Sequence, residues 1–224
     1  MRKLTLLVST CLGCAVLLSA AGKEEQRVID AAVVLREIMS APDKGIPTDV
    51  LRHAACVAVI PSLKKGGFGF SGEHGAGLVS CRKTNGLWGP PSMLTVNGGG
   101  FGFQIGVTAI DLVMVIRNRR GIDFLVKDKF EVGGDLSVAA GPVGRDAQGG
   151  TDAVGNAEIY MYSRARGLFG GIAVKGAVVK PDGDGNVAMY GKHMDAAELL
   201  KVGSVAPPAG FKPFLHELEK YSAR

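Results

Sequence analysis

The sequence has few of the residues on which most metal and redox sites depend. Its 224 residues include four cysteines, four histidines and one tryptophan. The Cys-x-x-Cys spacing occurs only at Cys11 and Cys14, inside an apolar N-terminal run. The histidines are scattered, and none stands at ligand spacing from another histidine, cysteine or carboxylate. We therefore predict no metal site and no cofactor.

The sequence also lacks a recognisable catalytic motif. Gly-x-Ser-x-Gly is absent, and the carboxylates near the predicted strands show no spacing typical of an acid/base pair. Gly67, Gly69 and Gly72 match Gly-x-Gly-x-x-Gly, but a strand pattern follows where a dinucleotide site needs a helix. We predict that the protein has no catalytic residues and is not an enzyme.

Residues 1–21 have the pattern of an export signal. Arg2 and Lys3 precede an uncharged apolar run, and small residues follow it at Ser19-Ala20-Ala21. The pattern predicts a signal peptide at 1–21 and an exported domain at 22–224, periplasmic or associated with the cell envelope. A retained membrane anchor and lipidation of Cys14 remain as alternatives.

Net charge limits the classes of partner. Lys and Arg number 26 against 21 Asp and Glu, a formal charge of +5, which falls to +3 without Arg2 and Lys3. Together with the export signal, this small excess disfavours a nucleic-acid partner. It permits attraction to an anionic surface.

Hydrophobic periodicity predicts a mainly β, α+β fold. Apolar residues at helical spacing predict a helix over 24–39, and a second, short helix ends near Ala54. Two short helical patterns follow at 195–201 and 211–221. We expect one compact β-rich domain with glycine-rich antiparallel strands between helical ends. The predicted strands are 56–60, 68–80, 93–96, 102–108, 112–116, 130–140, 159–163 and 170–179.

A glycine–phenylalanine phrase occurs twice. Gly-Gly-Phe-Gly-Phe stands at 66–70 and again at 99–103. Glycines let strands bend or approach closely, so we interpret both copies as strand segments with a structural role. The positions singled out are Gly67, Phe68, Phe70, Gly100, Phe101 and Phe103.

Two further patterns leave alternatives open. Cys56 and Cys81 end apolar runs, and they could pair or remain as two buried thiols; the second is the simpler expectation. The run Asp182-Gly183-Asp184-Gly185-Asn186 resembles the start of a calcium loop. It lacks the sixth-place glycine and twelfth-place carboxylate of that loop, so we predict a tight turn.

Basic residues are grouped near predicted strand ends. The groups are Lys64-Lys65, Arg82-Lys83, Arg117 with Arg119-Arg120, Lys127 with Lys129, and Arg164 with Arg166. If these turns converge they form an anion-binding patch; otherwise they are scattered surface charge. The candidate head-group contacts are Lys64, Lys65, Arg117, Arg119, Arg120, Arg164 and Arg166.

Four segments of the sequence resemble motifs of the SYLF domain family. They are Val59-Ile60-Pro61-Ser62 with the first glycine phrase, Gly106-Val107 with Asp111-Leu112-Val113, residues 137–145 and residues 162–171. The resemblance implies a β-rich domain that binds phosphoinositide or other phospholipid without catalysis. We thus expect an exported domain that binds an anionic phospholipid membrane.

Export would separate this chain from any cytoskeleton, so actin is an unlikely partner. Two alternative functions are a structural envelope protein that self-associates as a homo-oligomer and a carrier of a small apolar ligand.

Overall fold

A computed structural model describes residues 22–41, 45–68, 70–101, 106–142, 157–165, 168–170 and 176–223. The predicted signal peptide lies outside these ranges, as do Phe103 and Arg166.

Helices occur at both ends of the described chain. Helix α1 spans residues 22–39, α2 Thr48–Arg52, α3 Arg120–Leu125, α4 Gly183–Tyr190 and α5 Lys212–Ser222. A π-helical turn covers Glu198–Val202 and a 3₁₀ turn covers Ala209–Phe211. Within the ranges just given, no helix has both the length and the apolar content needed to cross a bilayer.

The described strands form one sheet. They are β1 Cys56–Phe68, β2 Phe70–Cys81, β3 Ser92–Phe101, β4 Gly106–Ile116, β5 Phe130–Glu131, β6 Val138–Ala140, β7 Ile159–Ala165, β8 Leu168–Gly170 and β9 Val178–Pro181. Eight of them follow the order β5-β9-β3-β2-β1-β4-β7-β6, and β8 pairs with β7. All pairs are antiparallel except β6 with β7. The predicted fold class is confirmed, in a mixed sheet.

Both faces of the sheet are covered by apolar residues. Val57 and Val59 share one core with α1, α2 and α5 residues such as Leu35, Leu51 and Phe214. The alternate β1 residues Cys56, Ala58 and Ile60 share the other core with α3, β9 and the π-helical turn. Because successive strand residues point to opposite faces, the apolar run at the start of β1 places side chains in both cores.

Pro61 does not end β1 as the sequence predicts. Two β1 residues, Pro61 and Ser62, stand where β4 has only Asp111, since Ile60 pairs with Leu112 and Leu63 with Ile110. This β-bulge accommodates the proline, which has no amide to donate to a neighbouring strand. Ser62 adopts a φ of 50°, and its amide donates to Asp111 Oδ1 at 2.9 Å.

The two glycine phrases lie side by side at one end of the sheet. The first spans the β1–β2 connection, where Phe68 pairs with Phe70, and the second ends β3, where Phe101 pairs with Phe70. Gly67 pairs with Ser71, and Gly100 pairs with the same residue from the other side. The described part of the repeat therefore forms adjacent backbone at the tips of three neighbouring strands.

The predicted turn at 182–186 is instead a helix start. Asp182 caps α4 by accepting a hydrogen bond from the Gly185 amide at 2.9 Å. Asn186 lies inside α4, where its side chain accepts from the Met93 amide at 2.8 Å. Aspartate and glycine suit a helix N-terminus as well as a turn, so local composition misled the prediction.

Cys56 and Cys81 form a disulfide. They are directly opposite residues of the antiparallel β1–β2 pair, and both are buried. The expectation of two separate thiols was therefore wrong, because the strand register that brings the sulfurs together is not visible in the sequence.

Candidate anion-binding groove

A cationic groove lies at the sheet end that is remote from the glycine phrases. Three segments line it: the α2–β1 junction, the loop after β2, and the loop from β4 to α3. Its volume is about 370 Å³. We define the cationic groove by its basic and imidazole side chains, which are His53, Arg82, Lys83, Arg117 and Arg119. Its other lining residues are uncharged, so no carboxylate lines the groove within the described chain.

Arg82 fixes one wall of the groove. Its guanidinium donates to the carbonyls of Gly86 at 2.6 Å and Ser222 at 3.1 Å, and it lies 4.3 Å from the Trp88 ring centroid. These contacts tie the loop after β2 to the end of α5. We therefore assign Arg82 mainly to positioning, with its positive charge contributing to the field in the groove.

Lys83 extends from the same loop. Its aliphatic stem lies between two glycines: a Cβ added at Gly89 or Gly203 would stand 3.4 Å or 3.2 Å from Lys83 Cγ. Gly203 also has a φ of 61°, which favours glycine. These contacts restrict the stem of Lys83 at the groove and reduce the conformational entropy that its ammonium loses on binding an anion.

The opposite wall carries two arginines. Arg117 donates from Nη1 to the Ala157 carbonyl at 3.0 Å and lies 4.6 Å from the Tyr160 ring centroid. Arg119 occupies the N-cap position of α3 without a side-chain cap hydrogen bond, and it is exposed. Arg120, the next residue, is outside the groove lining and is 3.5 Å from Glu158 Oε1. Arg119 is therefore the arginine of this loop best placed to meet an anion from solvent.

Three other candidate residues lie far from this groove. Lys64 pairs with Ala109 near the start of β4, whereas Arg117 follows the end of that strand. Arg117 stands eight positions after Ala109 in the chain, which corresponds to roughly 26 Å at the rise of a strand. Lys65 is 3.0 Å from Glu73 in an ion pair. Lys64 and Lys65 thus belong to a second, separate group.

Arg164 belongs to that second group and has a structural environment. It contacts Asp111 at 2.6 Å and also forms an ion pair with Glu37 of α1. Although burial lowers the pKa of Arg164, its bonds to the two carboxylates raise it above its ordinary value. Since Asp111 also holds the Ser62 amide of the bulge, Arg164 links β7, the bulge and α1. Arg166 lies outside the described residues.

A larger groove beside α1 has mixed charge. Its volume is about 790 Å³, and its charged lining residues are Lys23, Arg27 and Lys64 with Glu24, Asp30, Asp182 and Asp184. Arg27 forms an ion pair with Glu24 at 2.6 Å and another with Asp182 at 3.1 Å. Burial raises the pKa of Glu24, against the lowering effect of Arg27. Because carboxylates outnumber cations here, this groove suits an anion less well than the cationic groove.

The predicted head-group contacts that the structure describes therefore lie in two separate regions. Arg117 and Arg119 lie in the cationic groove, Arg120 lies beside it, and Lys64, Lys65 and Arg164 lie near the other end of the sheet. Sequence reasoning grouped Arg82 with Lys83 but did not select them, and it assigned His53 no role. Cys81 pairs with Cys56, and Cys56 pairs with Ile116. This register brings together the residues that follow β2 and β4, Arg82 and Arg117 among them.

A mixed sheet with helices on both faces and a cationic groove is consistent with a binding domain. The family model described as "Las17-binding protein actin regulator" matches residues 97–221, more than half of the chain. The chain belongs to this family, Ysc84, which confirms the resemblance to SYLF domains.

Curated relatives support the same family. An SH3 domain-containing protein of Schizosaccharomyces pombe is 35% identical over 199 residues, covering 88% of this chain and 46% of the relative. LAS seventeen-binding protein 3 of Saccharomyces cerevisiae is 32% identical, with 88% and 43% covered. SH3 domain-containing YSC84-like protein 1 of Bos taurus is 31% identical, with 87% and 58% covered. The chain thus spans about half the length of these relatives.

Proposed function

We propose that this protein is a non-enzymatic domain that binds the head groups of anionic phospholipids, and that the cationic groove is its contact. The observation that carries the proposal is a groove with Lys83, Arg117 and Arg119 in its lining and no lining carboxylate within the described ranges. Guanidinium and ammonium groups form charge-assisted hydrogen bonds to phosphate oxygens, which are stronger than neutral ones.

Two features support the binding of an anionic head group in the cationic groove. The lysine and arginines come from two separate segments, the loop after β2 and the loop from β4 to α3, so several can act on one tetrahedral group or on adjacent groups. Each basic residue near an anionic membrane contributes about 1 kcal/mol, so a few residues acting together are needed for stable attachment. The fixed stem of Lys83 reduces the entropy lost when its ammonium binds.

The setting of this binding is part of the proposal. Residues 1–21 have the composition of an export signal, and the proposed membrane is then that of the cell envelope. The name LAS seventeen-binding protein 3 describes a protein partner of the yeast relative. For the present chain we propose lipid as the partner and do not extend that protein partner to it.

Flotation of the protein with lipid vesicles tests the proposal. We expect flotation with vesicles of equal parts phosphatidylcholine and phosphatidylglycerol, and no flotation with phosphatidylcholine alone. At 0.5 M salt the screening length falls to about 4 Å, so binding through phosphate charge is expected to be largely lost.

Two results of this experiment would contradict the proposal. Equal flotation with both kinds of vesicle, unchanged by salt, would show that charge does not direct the binding. Absence of flotation under every condition would remove lipid as the partner, and self-association would then be the function to test.

A further inference from the structure

Two large apolar side chains beside the cationic groove, but outside its lining, are highly exposed. Val202 is 66% exposed and Leu87 is 60% exposed. They are the two most exposed of the large hydrophobic residues in the described ranges. Single exposed apolar residues are common on protein surfaces, so their exposure alone carries no argument. Their positions relative to Lys83 are what distinguish them.

Leu87 and Val202 lie beside Lys83. The Lys83 amide donates to the Leu87 carbonyl at 2.9 Å across the tight turn of the loop after β2. Val202 ends the π-helical turn and directly precedes Gly203, the glycine against which the Lys83 stem packs. Two segments remote in sequence therefore bring exposed apolar residues close to one groove lysine.

The loop that carries Leu87 is held in place. Trp88 donates from Nε1 to Ser222 Oγ at 2.8 Å, and the Leu87 amide donates to Asn85 Oδ1 at 3.1 Å. Arg82 bonds the Gly86 carbonyl of the same turn. Leu87 is thus presented to solvent by a braced turn, with more than half of its surface exposed.

The other exposed apolar side chains have a different setting. Ile29 is 44% exposed on α1 and Val187 is 36% exposed on α4. Both helices contribute carboxylates to the mixed-charge groove, Asp30 and Asp184 among them. Four carboxylates line that mixed-charge groove. Leu87, by contrast, directly follows Gly86 of the cationic groove and lines a neighbouring hollow that has Arg82 and one carboxylate, Glu219, among its lining residues. Val202 follows Lys201 in the π-helical turn.

We infer that this end of the domain docks on an anionic bilayer, with Leu87 and Val202 entering the interface beside Lys83. Apolar side chains gain free energy by leaving water for the acyl boundary, and a neighbouring lysine keeps its ammonium at the phosphate level. Charge complementarity selects the bilayer as the occupant of this surface. The inference rests on the proposed function and adds a membrane-inserting part to it.

The test compares Leu87→Ser and Val202→Ser with Val187→Ser as the matched control. We expect each of the first two changes to weaken binding to phosphatidylcholine–phosphatidylglycerol vesicles about tenfold, because the serine loses most of the apolar transfer free energy. The control is expected to bind like the unchanged protein. Binding of inositol hexakisphosphate, a soluble polyphosphate measured by calorimetry, is expected to stay the same in all three variants.

The outcomes separate this inference from the proposed function. Unchanged vesicle binding by both variants would overturn the inference and leave head-group binding intact. Parallel loss of vesicle and inositol hexakisphosphate binding would also overturn it, since the side chains would then be shaping the groove. If the unchanged protein binds no vesicles, the proposed function itself fails and the inference fails with it.

A second measurement detects insertion directly. Leu87→Trp and Val202→Trp each add an exposed indole to a chain whose native tryptophan, Trp88, is buried. Brominated phosphatidylcholine in the anionic vesicles is expected to quench both variants more than Ile29→Trp or the unchanged protein. Equal quenching of all four proteins would show that these residues do not enter the bilayer.

Discussion

Reversing the charge of Lys83 and Arg119 together is expected to abolish binding to anionic vesicles. Lys83→Glu with Arg119→Glu removes two attractive charges and adds two repulsive ones. At about 1 kcal/mol for each unit charge near the surface, the change is roughly 4 kcal/mol, or about a thousandfold in affinity. Both side chains line the groove at its surface and neither belongs to an apolar core, so we expect the fold to be retained.

A second double variant controls for net charge. Lys64→Glu with Lys212→Glu changes the formal charge by the same amount at two exposed positions outside the cationic groove. It is expected to weaken vesicle binding by much less than the groove variant. Equal losses in the two variants would mean that binding follows overall charge, and that the groove is not the contact. Circular dichroism of both proteins establishes that each is folded.

Removal of the disulfide is expected to destabilise the folded domain. Cys56→Ala with Cys81→Ala opens a link between residues 25 apart in sequence. A loop of that length corresponds to about 3.5 kcal/mol of stabilisation through the unfolded state. For a domain of this size the melting temperature should fall by roughly 7–14 °C. Calorimetric or circular-dichroism melting of both proteins measures the difference.

Reductant provides the internal control for this prediction. Dithiothreitol is expected to lower the melting temperature of the unchanged protein and to leave that of the double variant unaltered. Both sulfurs are buried, so reduction needs either heating or mild denaturant. If Cys56 and Cys81 both react with a thiol reagent in denatured, unreduced protein, the two side chains are thiols and the prediction is wrong.

Long periodic segments were predictable from the sequence. The apolar spacing within 24–39 predicted α1, and the run after Cys56 predicted the start of β1. These patterns depend on the helical and strand periods alone, so a single sequence contains them. The resemblance to SYLF motifs identified the family, which the match over 97–221 confirms.

Features that depend on pairing between distant residues were not predictable. Pro61 suggested a strand end, but the bulge opposite Asp111 carries β1 seven residues further. Asp182 and Gly183 suggested a turn, although the Arg27 ion pair and the cap hydrogen bond place them at a helix start. In both cases a tertiary partner, invisible to local propensity, decided between two structures that the same residues permit.

For the candidate site too, local features were predictable from the sequence and the pairing between distant residues was not. Basic residue types and their grouping at strand ends were visible in the sequence. Their convergence depends on register, since Lys64 of β1 pairs with Ala109 of β4, about eight strand residues away from Arg117, which follows β4. Lys83 and His53 lie in the same groove as Arg117 and Arg119, because β1, β2 and β4 each have one terminus at the same end of the sheet.

Hydrogen–deuterium exchange in the presence of anionic vesicles tests the central claim most directly. The account predicts that added phosphatidylcholine–phosphatidylglycerol vesicles slow exchange at residues 83–87 and 117–119, with little change at 61–65 and 159–165. Vesicles of phosphatidylcholine alone should give no protection. Protection confined to 61–65 and 159–165, the segments that carry Lys64, Lys65 and Arg164, would contradict the assignment of head-group binding to the cationic groove.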